Sequence, residues 1–252
     1  MKVTGNTILI TGGGSGLGRG LAEAFHKRGN TVIIAGRRKE VLDQVAASNP
    51  GIVAVPLDVQ SEASINAFAA ELTAKYPALN VLINMAGIMK TEQIIDPKAA
   101  EETINTNLLA PIRLTAALLP TLQKQPNSTI MNVSSGLAFT PLALTPTYSA
   151  TKAAIHSWSQ SLRYQLKGSN VEVLELAPPY VQTELLGPHQ KSDPRAMPLD
   201  AFIDETMQIL EAQPQAKEIL VKNVHPLRFA GDFNAEKFDA WFEQFNTMLA
   251  GH

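Results

Sequence analysis

TILITGGGSGLGRGLAEAFHKRGNTVIIA, Thr7–Ala35, reads as an apolar strand, a glycine-rich turn, an amphipathic helix and a second apolar strand. TILI ends in Thr11 and three glycines. Leu17, Leu21, Phe25 and Arg28 then recur at helical spacing, with Gly29-Asn30 as the stop signal. TVIIA (31–35) is strand-like again. A strand, a crossover helix and a strand with near-continuous apolar character predict parallel pairing within a sheet covered on both faces.

The same alternation continues outward. A charged helix is expected from about Lys39 to Ala47, a third strand in IVAVPLDV (52–59), and a helix starting at Ser61 with Ser64 and running to Tyr76 before Pro77. VLIN (81–84) is the fourth strand. A long helical segment spans roughly Pro97 to Lys124, with Pro111 and Pro120 as expected distortions. TIMNV (129–133) is the fifth strand, Thr147–Lys167 a helix, and VEVLEL (171–176) a sixth strand stopped by Pro178-Pro179. EILV (218–221) makes a seventh. The reading is α/β: one doubly wound parallel sheet of about seven strands with helices on both faces, over residues 1–252. Within it, 184–215 is expected to supply a substrate loop and helix, and 225–252 a C-terminal helical extension. GPHQKSDPRAMP (187–198) is the least regular stretch and reads as a mobile loop over the site.

The chain has 252 residues, 45% of them hydrophobic, enough for a substantial core. A net charge of −2 gives no reason to expect nucleic acid or an anionic membrane as partner. With no cysteine, disulfides and thiolate metal sites are excluded, in keeping with a reducing cytoplasm. The start, MKVTGNTILITGG, lacks a signal peptide's apolar core and cleavage site. Lys124 to Lys152 encloses no charge, but Asn127, Asn132, Ser134, Ser135, Pro141 and Pro146 interrupt the stretch, which argues against a transmembrane span. A soluble, cytoplasmic protein is expected.

TGGGSGLG (Thr11–Gly18) joins the first strand to the first helix. Glycines permit a tight turn and close approach to a pyrophosphate, while the helix N-terminus offers free N–H groups. The spacing is TGxxxGxG, not GxGxxG. Its position makes it a Rossmann-like dinucleotide turn, with Gly12, Gly14, Ser15, Gly16, Leu17 and Gly18 as the expected cradle. After the second strand come Arg37 and Arg38, with no acid to accept hydrogen bonds from ribose hydroxyls. A guanidinium fork suits a 2′-phosphate, so NADP(H) is favoured over NAD(H).

Further on, Tyr148 and Lys152 lie four residues apart, on one helical face. An ammonium beside a phenol favours the phenolate, so Lys152 is expected to lower the Tyr148 pKa. Ser135, thirteen residues earlier at a strand end, is placed to orient a substrate by hydrogen bonding. YxxxK alone occurs in many helices as packing and a solvated charge; the glycine turn upstream gives it weight. The histidines (26, 156, 189, 225, 252) show no HxH or HExxH spacing, and no metal site is expected. His26 and His156 read as surface or packing residues. NVSSG is not a GxSxG elbow, so a serine hydrolase is not indicated. Phe238, Trp241, Phe242 and Phe245 form a helical aromatic stripe suited to covering the domain, the pocket or a partner subunit.

TGGGSGLG, NMAG (84–87), Asn107, Ser135, Tyr148 and Lys152, in that order, resemble the short-chain dehydrogenase/reductase family over about Thr7 to Val221. The resemblance implies a pyrophosphate turn at Gly12, Gly16 and Gly18, an adenine flanked by Asp58 and Val59, and a cofactor lined by Asn84, Ala86 and Gly87. It implies a water held by Asn107, chemistry at Ser135, Tyr148 and Lys152, and a Lys152 bond to the nicotinamide ribose. It also implies cofactor contacts at Pro178, with Val181 and Thr183 at the carboxamide. Met85 departs from the family's NNAG, and Pro179 from its Pro-Gly. KEILVKNVHPLR also looks like a bacterial branch sometimes labelled for lipoteichoic-acid D-alanylation, a label that suits a redox site poorly.

The activity implied is NADP(H)-dependent interconversion of a small neutral carbonyl compound and an alcohol, with Tyr148 as acid/base. Met85, Met89, Phe139, Leu142, Leu144, Tyr180 and Leu185 are candidates for an apolar pocket, each equally readable as core. The family commonly pairs subunits through the helices at 97–124 and 147–168, so a homodimer or homotetramer is expected. The alternative is a non-catalytic NADP(H)-binding regulator on the same fold, which predicts a damaged Ser/Tyr/Lys set.

Overall fold

Thr7–Thr11 forms β1, an interior strand of the sheet in the computed structural model, which describes residues 1–249. The other strands are β2 (Thr31–Gly36), β3 (Val53–Pro56), β4 (Val81–Asn84), β5 (Ser128–Val133), β6 (Val171–Leu176) and β7 (Glu218–Ile219). They pair in the order β3-β2-β1-β4-β5-β6-β7, every neighbour parallel. Between them run α1 (Gly16–Lys27), α2 (Lys39–Ser48), α3 (Glu62–Lys75), α4 (Pro97–Ile104), α5 (Ala110–Leu122), α6 (Pro146–Gln165) and α7 (Leu199–Ala212). Short α8 (His225–Arg228) and α9 (Ala235–Leu249) follow β7. The expected C-terminal extension is thus seen up to residue 249; residues 250–252, His252 among them, lie outside the described residues.

Alternate side chains of the strands feed two cores. Ile8, Ile10, Val32, Ile34 and Ile83 pack with Leu21 and Phe25 of α1 and Phe202 and Met207 of α7. Leu9, Ile33, Leu82 and Ile130 pack with Phe68 and Leu72 of α3 and Leu114 and Leu118 of α5. Each such fully buried side chain stabilises the fold by about 1.5–3 kcal/mol. Both faces being covered, the strands carry no polar alternation, which is why they read as unbroken apolar runs. The winding reverses between β1 and β4, and the crevice at the carboxyl ends of those strands is where an α/β sheet receives a ligand.

Four segments differ from the sequence reading. β3 covers four residues of the expected eight, and β7 two of four. The long helix at 97–124 is broken: α4 ends at Ile104, a π-helical turn spans Asn105–Leu109, and α5 begins at Ala110. Pro111 explains the break, because it has no N–H to give Asn107, four residues back. The ladder relaxes there, and the Ala110 N–H bonds the carbonyl of Asn105, five residues back. The 187–198 stretch carries a 3₁₀ turn, Pro188–Ser192, and is tied down. Gln190 donates to the Val181 carbonyl at 2.7 Å and accepts from the Leu186 N–H at 2.8 Å.

Candidate active site

At the end of β1 the chain turns through Gly12 and Gly16, whose φ values of +70° and +52° favour glycine. The Gly12 N–H donates to the Ala35 carbonyl at 2.7 Å, locking the turn to β2. A Cβ on Gly12 would lie 3.0 Å from the Ala86 Cα, and one on Gly18 would collide with the Gly12 carbonyl. Gly14 lies under Val41, and Leu17 is half-buried against the core. Ser15 precedes α1 but makes no side-chain capping bond, and the first turn of α1 holds no acid. The leading N–H groups are therefore left for an anion. Thr11, which the sequence reading passed over, joins the two sides of the crevice: its Oγ1 accepts from the N–H groups of Met85 at 3.1 Å and Ala86 at 3.0 Å.

Arg37 and Arg38 are exposed beyond β2, and Arg38 reaches back to donate to the Ser15 hydroxyl at 3.3 Å. Asp58 is exposed and accepts from the Gln60 N–H at 3.0 Å, while Val59 is buried beside Thr11 and Ala110. Glu102 of α4 brings an acid toward this region. The Lys90 ammonium, hydrogen-bonded to it, holds the Glu102 carboxyl below the usual range, and Arg37 adds a smaller electrostatic pull.

At the end of β5, Ser135 caps a 3₁₀ turn, Gly136–Ala138, and its Oγ accepts from the Leu137 N–H at 3.1 Å. Tyr148 and Lys152 lie one turn apart near the start of α6, 6% and 5% exposed. Lys152 Nζ lies 5.5 Å from the centre of the Tyr148 ring. Burial pushes the Tyr148 phenol up to about 12, hydrogen bonding with Ser135 working the other way. Burial pulls Lys152 down to about 8, against the opposing field of Glu175. The sequence reading had the ammonium lowering the phenol. In the chain alone the phenol is raised instead, because it sits in the interior and the opposing influence comes from Ser135.

Asn107 falls in the π-helical turn, fully buried. Its Oδ1 accepts from the Ile88 N–H at 2.9 Å, and its Nδ2 donates to the Ile88 carbonyl at 2.8 Å and the Thr151 hydroxyl at 3.3 Å. The wide turn thus holds an amide against both the irregular segment that follows β4 and the helix carrying Tyr148. Gly87 is adjacent: a Cβ there would sit 3.4 Å from Asn107 Oδ1 and 3.7 Å from Lys152 Nζ. Asn84 points inward, donating to Asn132 Oδ1 at 2.9 Å and Thr115 Oγ1 at 3.1 Å. Asn84, Ala86, Asn107, Asn132 and Lys152 line one narrow polar crevice.

After β6, the Pro178 carbonyl accepts from the Gly136 N–H at 2.9 Å, which secures the Ser135 turn. Pro179 needs no positive φ, since among the described residues only glycines adopt one. Val181 is buried and bridges to Met197. Thr183 lies against the glycine turn, its Cγ2 3.4 Å from where a Gly16 Cβ would be. Of the apolar candidates, Met85, Met89 and Leu144 are half-buried, Leu142 is buried and Leu185 is exposed. The Tyr180 hydroxyl is engaged by Asp193 at 3.2 Å. Phe139 is held between the His156 ring and the Arg228 guanidinium, 4.7 and 4.5 Å from its centre. His156, expected to be surface or packing, pairs with the buried Glu175, a residue the sequence reading did not single out.

The sequence model of the family described as short chain dehydrogenase matches residues 6–194. An uncharacterized oxidoreductase of Bacillus subtilis (strain 168), DltE, is 41% identical over 98% of this chain and 99% of that protein. An uncharacterized oxidoreductase of Staphylococcus aureus (strain USA300) is 29% identical over 88% of the chain and 96% of its own length. Among solved structures, a short chain dehydrogenase from Burkholderia cenocepacia J2315 in complex with NADP superposes with a TM-score of 0.83 at 25% identity, covering 96% of this chain and 99% of that one. One from Sphingobium yanoikuyae in complex with NADPH gives 0.77 at 25% identity, covering 98% and 96%.

Proposed function

This chain belongs to the short-chain dehydrogenase family of oxidoreductases, and from that premise we propose that it interconverts a small neutral carbonyl compound and its alcohol with NADP(H), Tyr148 exchanging the proton. The observation that carries the reading is the burial of Tyr148 and Lys152 one turn apart, beside Ser135, at the same sheet end as the glycine turn. A nicotinamide dinucleotide, when bound, supplies the hydride to the carbonyl carbon or takes it back in the reverse direction.

The glycine turn and the leading N–H groups of α1 fit a pyrophosphate: the turn packs too closely on Ala86 and on itself to admit side chains at Gly12 and Gly18, and the first turn of α1 carries no acid to repel an anion. Arg37 and Arg38 suit a 2′-phosphate. Two relatives 25% identical to this chain were solved with NADP or NADPH, which supports the same choice here. Ser135 hydrogen-bonds the carbonyl oxygen while Tyr148 gives it a proton. With its phenol raised to about 12, Tyr148 keeps that proton at neutral pH until the oxygen gains charge. Lys152, lowered to about 8, is still largely ammonium at neutral pH and would hold the ribose of a bound nucleotide. Asn107 holds the backbone of Ile88 beside the lysine and assists proton return through water.

No helix among the described residues is long and apolar enough to cross a membrane. By family habit we place the protein in the cytoplasm as a homodimer or homotetramer paired through α4, α5 and α6. The test is NADPH and NADH oxidation across a panel of neutral aldehydes and ketones. Turnover with NADPH preferred is the expected result. Binding of NADPH with no turnover on any member would replace the reading with that of a cofactor-binding regulator.

A further inference from the structure

β6 buries a carboxylate in a sheet whose other buried side chains are uncharged. Glu175 is 0% exposed and sits in register with Asn132 of β5. Its Oε1 accepts from the Ser134 hydroxyl at 2.5 Å, and its two oxygens lie 3.0 and 2.8 Å from His156 Nδ1. His156 Nε2 meets the Gln160 amide nitrogen at 3.1 Å. With that amide donating, the imidazole carries its proton on Nδ1 and gives it to Glu175 while neutral. The carboxylate is then hydrogen-bonded but not neutralised, and desolvating such a charge costs several kcal/mol.

A position that expensive needs a cation within its field. Lys152 lies one turn before His156 on α6 and feels Glu175, which favours its ammonium form. From the other elements, Glu175 faces Ser134 of the β5 end, Glu218 of β7 and Arg228 of α8. Lys152 itself faces Tyr148, Asn107 and the Val133 carbonyl. Arg228 is committed to Glu218, which it meets at 2.8 and 3.2 Å. The donor atoms of His156, Glu175 and Glu218 lie within 4.8 Å of one another, and the Arg228 guanidinium, paired with Glu218, is a second cation in the field of Glu175.

We propose that Glu175 is a positioning residue of the redox site, its buried charge retaining the Lys152 ammonium and its bond to Ser134 anchoring the turn that carries Ser135. The inference rests on the reading of Tyr148 and Lys152 as the acid–base pair.

The test follows the Cε resonance of Lys152 against pH in protein labelled with ¹³C-lysine, assigned by its loss in Lys152→Met. Glu175→Gln keeps the shape and removes the charge, and the Lys152 midpoint is expected to fall by about one pH unit. The alkaline limb of NADPH oxidation, with 4-nitrobenzaldehyde as the probe, is expected to move the same way, since removing an anion weakens proton binding by either member of the pair. Glu175→Asp, which keeps the charge, is expected to restore most of the midpoint. A folded Glu175→Gln protein with the wild-type Lys152 midpoint overturns the inference, whatever its turnover. Wild-type protein that turns over no carbonyl compound defeats the catalytic reading instead, and the resonance still decides the role of Glu175. If Glu175→Gln does not fold, the Glu175→Leu, His156→Leu pair removes anion and partner together and is read by the same shift.

Discussion

Lys152 donates from Nζ to the carbonyl oxygen of Val133 at 2.8 Å, so the middle of α6 is pinned to the end of β5 through a buried ammonium. Burial lowers that ammonium from 10.5 to about 8. The unfolded chain therefore holds the proton up to about pH 10.5, whereas the folded chain releases it near 8. Below about pH 8 the folded state bears the whole penalty, about 3 kcal/mol at ~1.4 kcal/mol per unit, and the penalty fades as pH rises toward 10.5. Lys152→Met removes the charge and leaves the Val133 carbonyl unpaired, a loss of about 1 kcal/mol. The cofactor-free variant is expected to be more stable than wild type by about 2 kcal/mol at pH 7 and to lose that advantage by pH 10. Guanidinium unfolding at both pH values checks this; a variant less stable than wild type at pH 7 contradicts it.

Tyr148→Phe leaves the ring in place and deletes the proton donor. Turnover is expected to fall by a factor on the order of 10² or more, with NADPH affinity changed less than about threefold. Steady-state kinetics and a fluorescence titration of NADPH separate the two effects. Near-normal turnover with intact binding would remove Tyr148 from the mechanism.

The architecture was largely written in the periodicity. Runs such as TILI and TVII are apolar on both sides because helices cover both faces, so parallel pairing followed from the alternation with helices, while the order of the strands came only with the structure. The less legible features depend on the third dimension. Pro111 announced a distortion but not its kind, because a π-helical turn depends on which carbonyl the next free N–H finds, here that of Asn105. Thr11 stood inside a quoted motif, yet its bonds run to Met85 and Ala86, more than seventy residues away. Glu175 lies in a strand that reads as ordinary, and nothing local announces a carboxylate paired with His156 across the α6–β6 contact. The direction of the Tyr148 shift was misjudged for a related reason. Spacing along a helix shows that two groups are neighbours, while how deeply they are buried is a property of the whole fold.

Arg38 already approaches the pyrophosphate turn through Ser15, and it shares the end of β2 with Arg37. A charge-assisted hydrogen bond is worth about 1.5–3 kcal/mol, so Arg38→Ala is expected to weaken NADPH binding roughly tenfold or more. NADH, which has no 2′-phosphate, is expected to change by less than about twofold. Equal losses for both nucleotides in paired titrations would mean that Arg38 shapes the turn through Ser15 and does not read the phosphate.

The segment between Ser135 and Tyr148 is held from outside by α9. Asn246 Oδ1 accepts from the Ala143 N–H at 2.6 Å, and its Nδ2 donates to the Pro141 carbonyl at 3.2 Å. Trp241 Nε1 reaches the Thr140 hydroxyl at 3.3 Å. These bonds fasten a loop that links two proposed catalytic residues without touching the glycine turn. Asn246→Ala is therefore expected to raise KM for the carbonyl compound severalfold, leave NADPH affinity unchanged, and lower stability by only about 1–2 kcal/mol, as exposed or half-buried hydrogen bonds do. The loop should also be cut faster near residues 139–145 in limited proteolysis, because its closed form loses two of its ties. An unchanged KM together with unchanged cleavage would show that the two Asn246 bonds do not hold the loop and that its remaining ties, the Trp241 bond to Thr140 among them, suffice.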